Sequence, residues 1–339
     1  MNALALGTTC WTETEFALLD LGDARLNKRA GIVTERLAAR PTAGVPQACR
    51  GWGETIAAYH VFDNEDVEWA TILKPHWRQT QQRMAAYSVV LCLQDATELD
   101  LNGKNTAGLG PLSYEAKRGM YLPLTYAVTP DRLPLGVLDA WMWAREPKDK
   151  QGKRGALKEG LRWIKGYERI AEAAPSLPNT RLVYLADREA DMIALMVRAQ
   201  LLGAPADWLI RSTHDRALPE GANLWNAASE GEPTGEIAFT MGSRHGVKAR
   251  EVRQHVWLRR TELPADKGQK RRGHMSGGTR VRCARRRQAD RMALADQPRS
   301  DDVAAASNSS TGIGRAGKSR FCSMVEEQLP CRGCAVGHD

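Results

Sequence analysis

The chain is short of what several protein classes require. None of its 339 residues belongs to a run near the roughly 18 consecutive apolar residues of a membrane helix. Its first residues, MNALALGTTCWTETEF, lack the basic start and long apolar core of a secretory signal. The cysteines number seven, an odd count at irregular spacing, which predicts reduced thiols rather than a disulfide framework. Together these features predict a cytoplasmic protein with no membrane partner. No Ser-His-Asp arrangement is evident. The nearest mimic of a phosphate loop, GIGRAGKS at 312–319, has the wrong glycine spacing.

Aromatic residues are missing where a core would need them. All 10 Trp and all 7 Tyr precede residue 258. Residues 268–339 hold 14 Lys/Arg and 7 Asp/Glu and are rich in Arg, Gly, Ser and Ala. Such a segment buries too little surface to offset its ordering entropy, so a basic, disordered tail is expected over 268–339. The abrupt change near Lys267 fits a GC-rich gene read out of frame. Within the tail, Cys322, Cys331, Cys334 and His338 offer a zinc half-site that lacks its second Cys pair.

The net charge of +8 lies almost wholly in that tail, so any nucleic-acid affinity of the main body must come from local patches. One patch is legible. LGDARLNKRAGIVTERLAARP predicts a helix from Asp23 to Arg40, capped by Asp23 and stopped by Pro41. Leu26, Ala30, Val33 and Leu37 form its apolar stripe. Arg25, Arg29, Arg36 and Arg40 fall within about 60° of one another beside it, where they could meet phosphates or a solvated face with acidic neighbours. Further helices are expected over 52–63 and over EDVEWATILKPHWRQTQQRM, the latter kinked or broken at Pro75. Residues 1–65 thus read as a small helical module.

The pattern then changes. YSVVLCLQD, GMYLPLTYAVTP and LPLGVLDAWMWAR predict three strands. ALKEGLRWIKGYERIAEAA predicts a helix with Leu157, Leu161, Ile164 and Ile170 inward. TRLVYLAD, ADMIALMVRAQLLG and ADWLIRS add strand, helix and strand. The fold class is α/β, with three strands followed by helix, strand, helix and strand over 66–213 and an inserted β region over 214–267.

Two of these strands end alike. SVVLCLQDATELD stops its buried lane on Asp95, and RLVYLADREADM stops on Asp187. Asp often opens the turn after a strand, which gives each aspartate a structural reading. As a pair they say more, because ligand sites in open sheets gather beyond strand carboxyl ends. Two carboxylates placed together there need a raised pKa or a cation between them. Mg²⁺ suits carboxylates with water and phosphate oxygens, and phosphodiester cleavage is the reaction class that follows. Asp191 reads as a structural residue of the next helical turn.

LGDARLNKR, LQDATELD, GMYLPLTYAVTPDRLPLGVLDAWMWARE and YLADREADM together resemble bacterial insertion-sequence transposases of the DDE type. The branch is that of transposon Five, within the insertion-sequence-four family, and the resemblance covers residues 11 to about 265. It implies a helical DNA-binding module before an RNase-H-like core with a mixed sheet, whose first three strands are antiparallel. It implies Asp95 and Asp187 as catalytic, metal-binding carboxylates for Mg²⁺ or Mn²⁺. Arg211 would lie near the DNA, and Arg25, Lys28 and Arg29 in the end-recognising module. Implied partners are double-stranded DNA, as transposon inverted-repeat ends and target, and a second copy of the chain, although the family's C-terminal dimerisation region has no match in this sequence. A nucleoid location follows.

The family's third carboxylate stands in Tyr-x2-Arg-x3-Glu-x6-Lys. No Tyr follows Tyr184, so the complete motif is missing, and Glu326 and Glu327 have Cys322 and Ser323 at the arginine position. The third carboxylate is therefore unknown, and an inactive chain is expected. Alternatives are a non-enzymatic, inhibitory DNA-binding fragment, or another metal-dependent nuclease drawing a third ligand from Glu98 or Glu189. Translating the parent DNA in its other frames past codon 267 should reveal the motif; its absence from both frames would contradict the out-of-frame reading of the tail.

Overall fold

The computed structural model describes residues 11–103, 106–152, 160–243, 248–257 and 263, together with the backbones of 258–261, 279–285 and 291–296. Helices α1 (Trp11–Glu15), α2 (Ala24–Ala39), α3 (Val45–Ala48), α4 (Trp52–Phe62) and α5 (Trp69–Met84) come first. Strands β1 (Val89–Asp100), β2 (Gly110–Pro111), β3 (Arg118–Val128) and β4 (Pro134–Ala140) follow. Then come α6 (Leu161–Ala173), β5 (Arg181–Ala186), α7 (Ile193–Leu201), β6 (Asp207–Arg211) and α8 (Leu224–Ala228). The last strands are β7 (Gly235–Met241), β8 (Arg250–Thr261), β9 (Thr279–Arg285) and β10 (Arg291–Asp296).

The N-terminal helices form as their sequence dictates. Asp23 caps α2 by accepting a hydrogen bond from the Arg25 amide at 2.6 Å. Leu26 and Ala30 pack with Leu19 and Val61, while Val33 packs with Cys49 and Ala58. These are small cores, and a polar cluster ties them onward. Glu15 of α1 takes Arg83 of α5 on both oxygens, at 2.9 and 3.0 Å, and His76 at 2.5 Å. Arg83 also donates to the Leu135 carbonyl at the start of β4, and His76 accepts from the Val137 amide. Burial works against the Glu15 charge, but the hydrogen bonds from Arg83 and His76 outweigh it and hold the carboxyl below its ordinary range. Helix α5 continues through Pro75, so of the expected kink or break the break does not occur.

The strands form one ten-stranded sheet in the order β2-β3-β1-β5-β6-β10-β9-β8-β7, with β4 beside β3. β1 is antiparallel to β3 and parallel to β5, and β5 is parallel to β6. The three expected strands and the helix-strand-helix-strand run are therefore present, and their first three strands are antiparallel. β4 ends at Ala140, short of Trp141 and Trp143; Pro123, opposite Trp141, has no N–H for the ladder, and the pairing resumes in the same register as the Tyr121–Trp143 bridge. α7 ends before Gly203, which adopts a left-handed φ of +79°.

Two expectations hold only in part among the described residues. The tail from 268 supplies β9 and β10, which link β6 to β8. Ladder hydrogen bonds use the backbone alone, and Thr279, Val281 and Cys283 alternate with arginines in a strand period. The rest of the tail, including the candidate zinc residues and the 312–319 segment, lies outside the described residues, as does Leu157. The buried face of α6 also differs from the expected one. It presents Arg162, Trp163, Gly166, Tyr167, Ile170 and Ala173, while Leu161 is exposed. Ile170 is buried and Ile164 packs against the core, as expected, while Trp163, Gly166 and Tyr167 add an aromatic and glycine part that was not expected.

Gly166 explains the choice. A Cβ there would overlap the Gln94 side-chain amide, which is fixed by donating to the Arg162 carbonyl at 2.8 Å and accepting from the Tyr184 hydroxyl at 2.7 Å. Gly166→Ala is expected to destabilise by about 1–3 kcal/mol. Gly31→Ala, with nothing within 4 Å of the added carbon, is expected to stabilise by about 0.5–1 kcal/mol. Urea melts of both variants check the contrast.

Candidate active site

The parallel register of β1 and β5 places Gln94 opposite Ala186. The next residues in those adjacent lanes are Asp95 and Asp187. Side chains alternate along a strand, so both aspartates continue the face that carries Leu91 and Leu93 on β1 and Val183 and Leu185 on β5. These four pack with Tyr126, Val128 and Leu209 in a small apolar cluster. The face turns acidic at one level, where the β1–β5 pairing ends; Asp187 follows the end of β5, but Asp95 lies midway along β1, which does not stop there as expected and runs on to Asp100 against β3.

Both aspartates are half-buried. Burial pushes the Asp95 carboxyl up to about 6, and the negative charges of Asp187 and Glu189 push the same way. The Ala96 amide and the Arg162 guanidinium oppose them. Asp187 is raised too, chiefly by burial, although its side chain accepts from the Glu189 amide at 2.8 Å and caps the short turn Arg188–Ala190. Glu189 adds to the rise, and Arg188 and Arg211 moderate it. Arg211, at the end of β6, therefore acts on the same rim. The donor set suits a divalent cation completed by water and phosphate oxygens. Among the described residues, no group of three or more His, Cys, Asp or Glu converges to hold one.

The other carboxylates nearby are engaged. Glu98 accepts from the Ser113 amide and the Tyr121 hydroxyl, each at 2.9 Å. Burial raises its pKa, and these bonds more than reverse that. Glu189 pairs with Arg162. Asp191 is buried and accepts from the Thr213 and His214 amides at 2.7 and 3.0 Å, and it pairs with Arg216 at 2.6 Å. It is structural as expected, but it pins the loop after β6 rather than serving a helix dipole. Glu220 follows Arg216 at the Arg-x3-Glu spacing, yet Thr213 and Ala227 occupy the Tyr and Lys positions of the motif. Arg216 is spent on Asp191, and Glu220 is exposed in a turn.

Arg162 carries no sequence signal of function. Its side chain is 8% exposed at the first turn of α6. Gly160 lets that turn approach Met192, whose sulfur would stand 2.6 Å from an added Cβ. The helix end is thus seated on the loop that follows Asp187.

In the helical region, Arg25, Lys28 and Arg29 are exposed on α2. The arginine row does not continue. Arg36 turns to Glu54, at 3.0 and 3.1 Å. Arg36 and the Arg50 amide hold the Glu54 carboxyl down to about 2. Arg40 donates to the Gln47 carbonyl. Two of the four arginines therefore brace the module.

A family described as transposase DNA-binding matches residues 8–67, which span α1 to α4. No curated protein matches the chain. Among solved structures, a piggyBac transposase synaptic complex with hairpin DNA is similar at 10% identity and a TM-score of 0.40, covering 89% of this chain and 59% of that one. The NurA nuclease from Sulfolobus solfataricus is similar at 10% identity and a TM-score of 0.28, covering 77% of this chain and 81% of that one. At those scores neither likeness establishes a shared fold. The chain spans less than two thirds of the piggyBac transposase chain.

Asp95 has a folded pKa above its ordinary 3.8. Its contribution to stability is therefore fully present at low pH and is lost as pH rises from about 3.8 through about 6. Without divalent cations, Asp95→Asn is expected to melt roughly 2–4 °C above the parent at pH 8, with the gap closing towards pH 4. Thermal melts across that range check it; a gap independent of pH would contradict it.

Proposed function

We propose that the chain is a DNA transposase of the DDE type in its construction, binding DNA through its N-terminal helices and unable to complete cleavage. The observation that carries this reading is the register that sets Asp95 beside Asp187. The transposase DNA-binding match over 8–67 supports the DNA half of the reading, and Arg25, Lys28 and Arg29 are the exposed cations that would meet phosphates there. The order β4-β3-β1-β5-β6, antiparallel and then parallel, supports an RNase-H-like core. On this reading the helical module covers 1–65, the core 66–213 and the β insertion 214–267.

Asp95 and Asp187 would hold Mg²⁺, or Mn²⁺ in its place, which supplies Lewis acidity toward phosphate and water. Their raised pKa values describe a pair poised to accept a cation rather than to stay charged alone. Arg211 offsets the Asp187 charge and would face the approaching DNA. Inverted-repeat ends, target DNA and a second copy of the chain are the partners that go with this reading.

The missing Tyr-x2-Arg-x3-Glu-x6-Lys motif underlies the inactivity. Glu98 and Glu189 are each committed elsewhere, so neither completes the pair as the chain stands. The composition of the tail after Lys267 supports a reading frame that departs from the family's there.

Incubation with inverted-repeat DNA and Mg²⁺ or Mn²⁺ tests this. Binding that weakens steeply with salt, without double-strand cleavage, is the expected result. Robust cleavage would overturn the inactivity, and binding left unchanged by Arg25→Gln and Arg29→Gln would overturn the assigned surface.

A further inference from the structure

Arginine 162 is the unexplained group of this rim. Its side chain is more than nine-tenths buried. Its Nη2 pairs with Glu189, while Nε and Nη1 are shielded from solvent and have no hydrogen-bond partner. Buried guanidinium donors left unmet are costly, and a fold that keeps them has a use for an acceptor. The position is also fixed from both sides. The Arg162 carbonyl accepts from Gln94, the chain neighbour of Asp95, and its guanidinium meets Glu189, two residues past Asp187. The Trp163 ring lies 5.4 Å from its Cζ and the Tyr121 ring 6.0 Å, so the plane of the group is braced.

We infer that Arg162 is a phosphate-holding residue beside the aspartate pair, and that Glu189 occupies it until a DNA phosphodiester displaces the carboxylate. This deepens the DNA reading above and rests on it. A guanidinium presents parallel N–H donors that match two oxygens of a phosphate. A rim carrying Asp95, Asp187 and Glu189 repels DNA, and Arg162 is the buried cation that offsets it at the level of the carboxylates. Glu189 is 54% exposed, so its side chain can turn to solvent while Arg162 stays in place.

The test uses the full chain, a 20-base-pair duplex and a double-mutant cycle. Arg162→Gln is expected to weaken binding about tenfold or more and to flatten the log affinity against log salt slope by about 0.9. Glu189→Gln is expected to tighten binding. In the double variant that gain should vanish, because the carboxylate no longer competes for an arginine. Arg162→Lys, which keeps the charge, should restore part of the affinity and guards against a folding defect. An equal gain from Glu189→Gln in both backgrounds, or an unchanged slope in Arg162→Gln, would overturn the inference. Mn²⁺ binding by the parent and by Asp95→Asn is measured separately. If the cation response is normal and the cycle is flat, the phosphate site fails alone. If the cycle holds and Asp95→Asn binds Mn²⁺ as the parent does, the metal reading fails instead.

Discussion

Everything in the candidate site depends on one parallel pairing, that of β1 with β5. Register in a sheet is unforgiving, since a slip of one residue sends a side chain to the opposite face. With Gln94 opposite Ala186, Leu93 and Leu185 share a face, and so do the aspartates that follow. A slip would bury one carboxylate beneath α6 and leave the other alone. The apolar residues ahead of Asp95 and Asp187 are thus what hold two like charges together.

The opposite face of the same strands does the holding. Gln94 and Tyr184 point under α6, bonded to each other and to its backbone. Gly166 lets the helix settle on that pair, and Tyr167 reaches past it to the Ala206 carbonyl at 2.6 Å. The network fixes the axial position of α6, and with it Arg162. Substituting Gln94 would therefore disturb the rim without touching either aspartate. Structure and site are coupled through a buried amide rather than through the acidic residues themselves.

Much of this was legible because it follows local rules. Asp23 capped its helix, Leu26, Ala30 and Val33 formed its stripe, and the buried stretches of two strands gave way to aspartates at one level, although β1 itself runs on to Asp100. What stayed hidden needed three dimensions. Arg162 gave no sign of a role in the sequence, and its spacing of four from Gly166, and of four more to Ile170, is what puts it on the buried face. Arg36 belonged to a row of cations until Glu54 claimed it. β9 was lost because arginines alternating with other residues resemble disorder in composition, and β10 because a six-residue run within that basic segment is too short to stand out, while ladder hydrogen bonding ignores composition. Asp191 was read correctly as structural but for another reason, since its partners are more than twenty positions away.

The central claim is that Asp95 and Asp187 feel each other's charge at one rim. Site-resolved carbon NMR titration of the Asp95 carboxyl, in the parent and in Asp187→Asn, measures this directly. The account requires an Asp95 midpoint near 6 that falls in the variant yet stays above 3.8, because burial remains when the neighbouring charge is gone. Superimposable titration curves would mean that the two carboxylates are strangers, and the site would not exist as described.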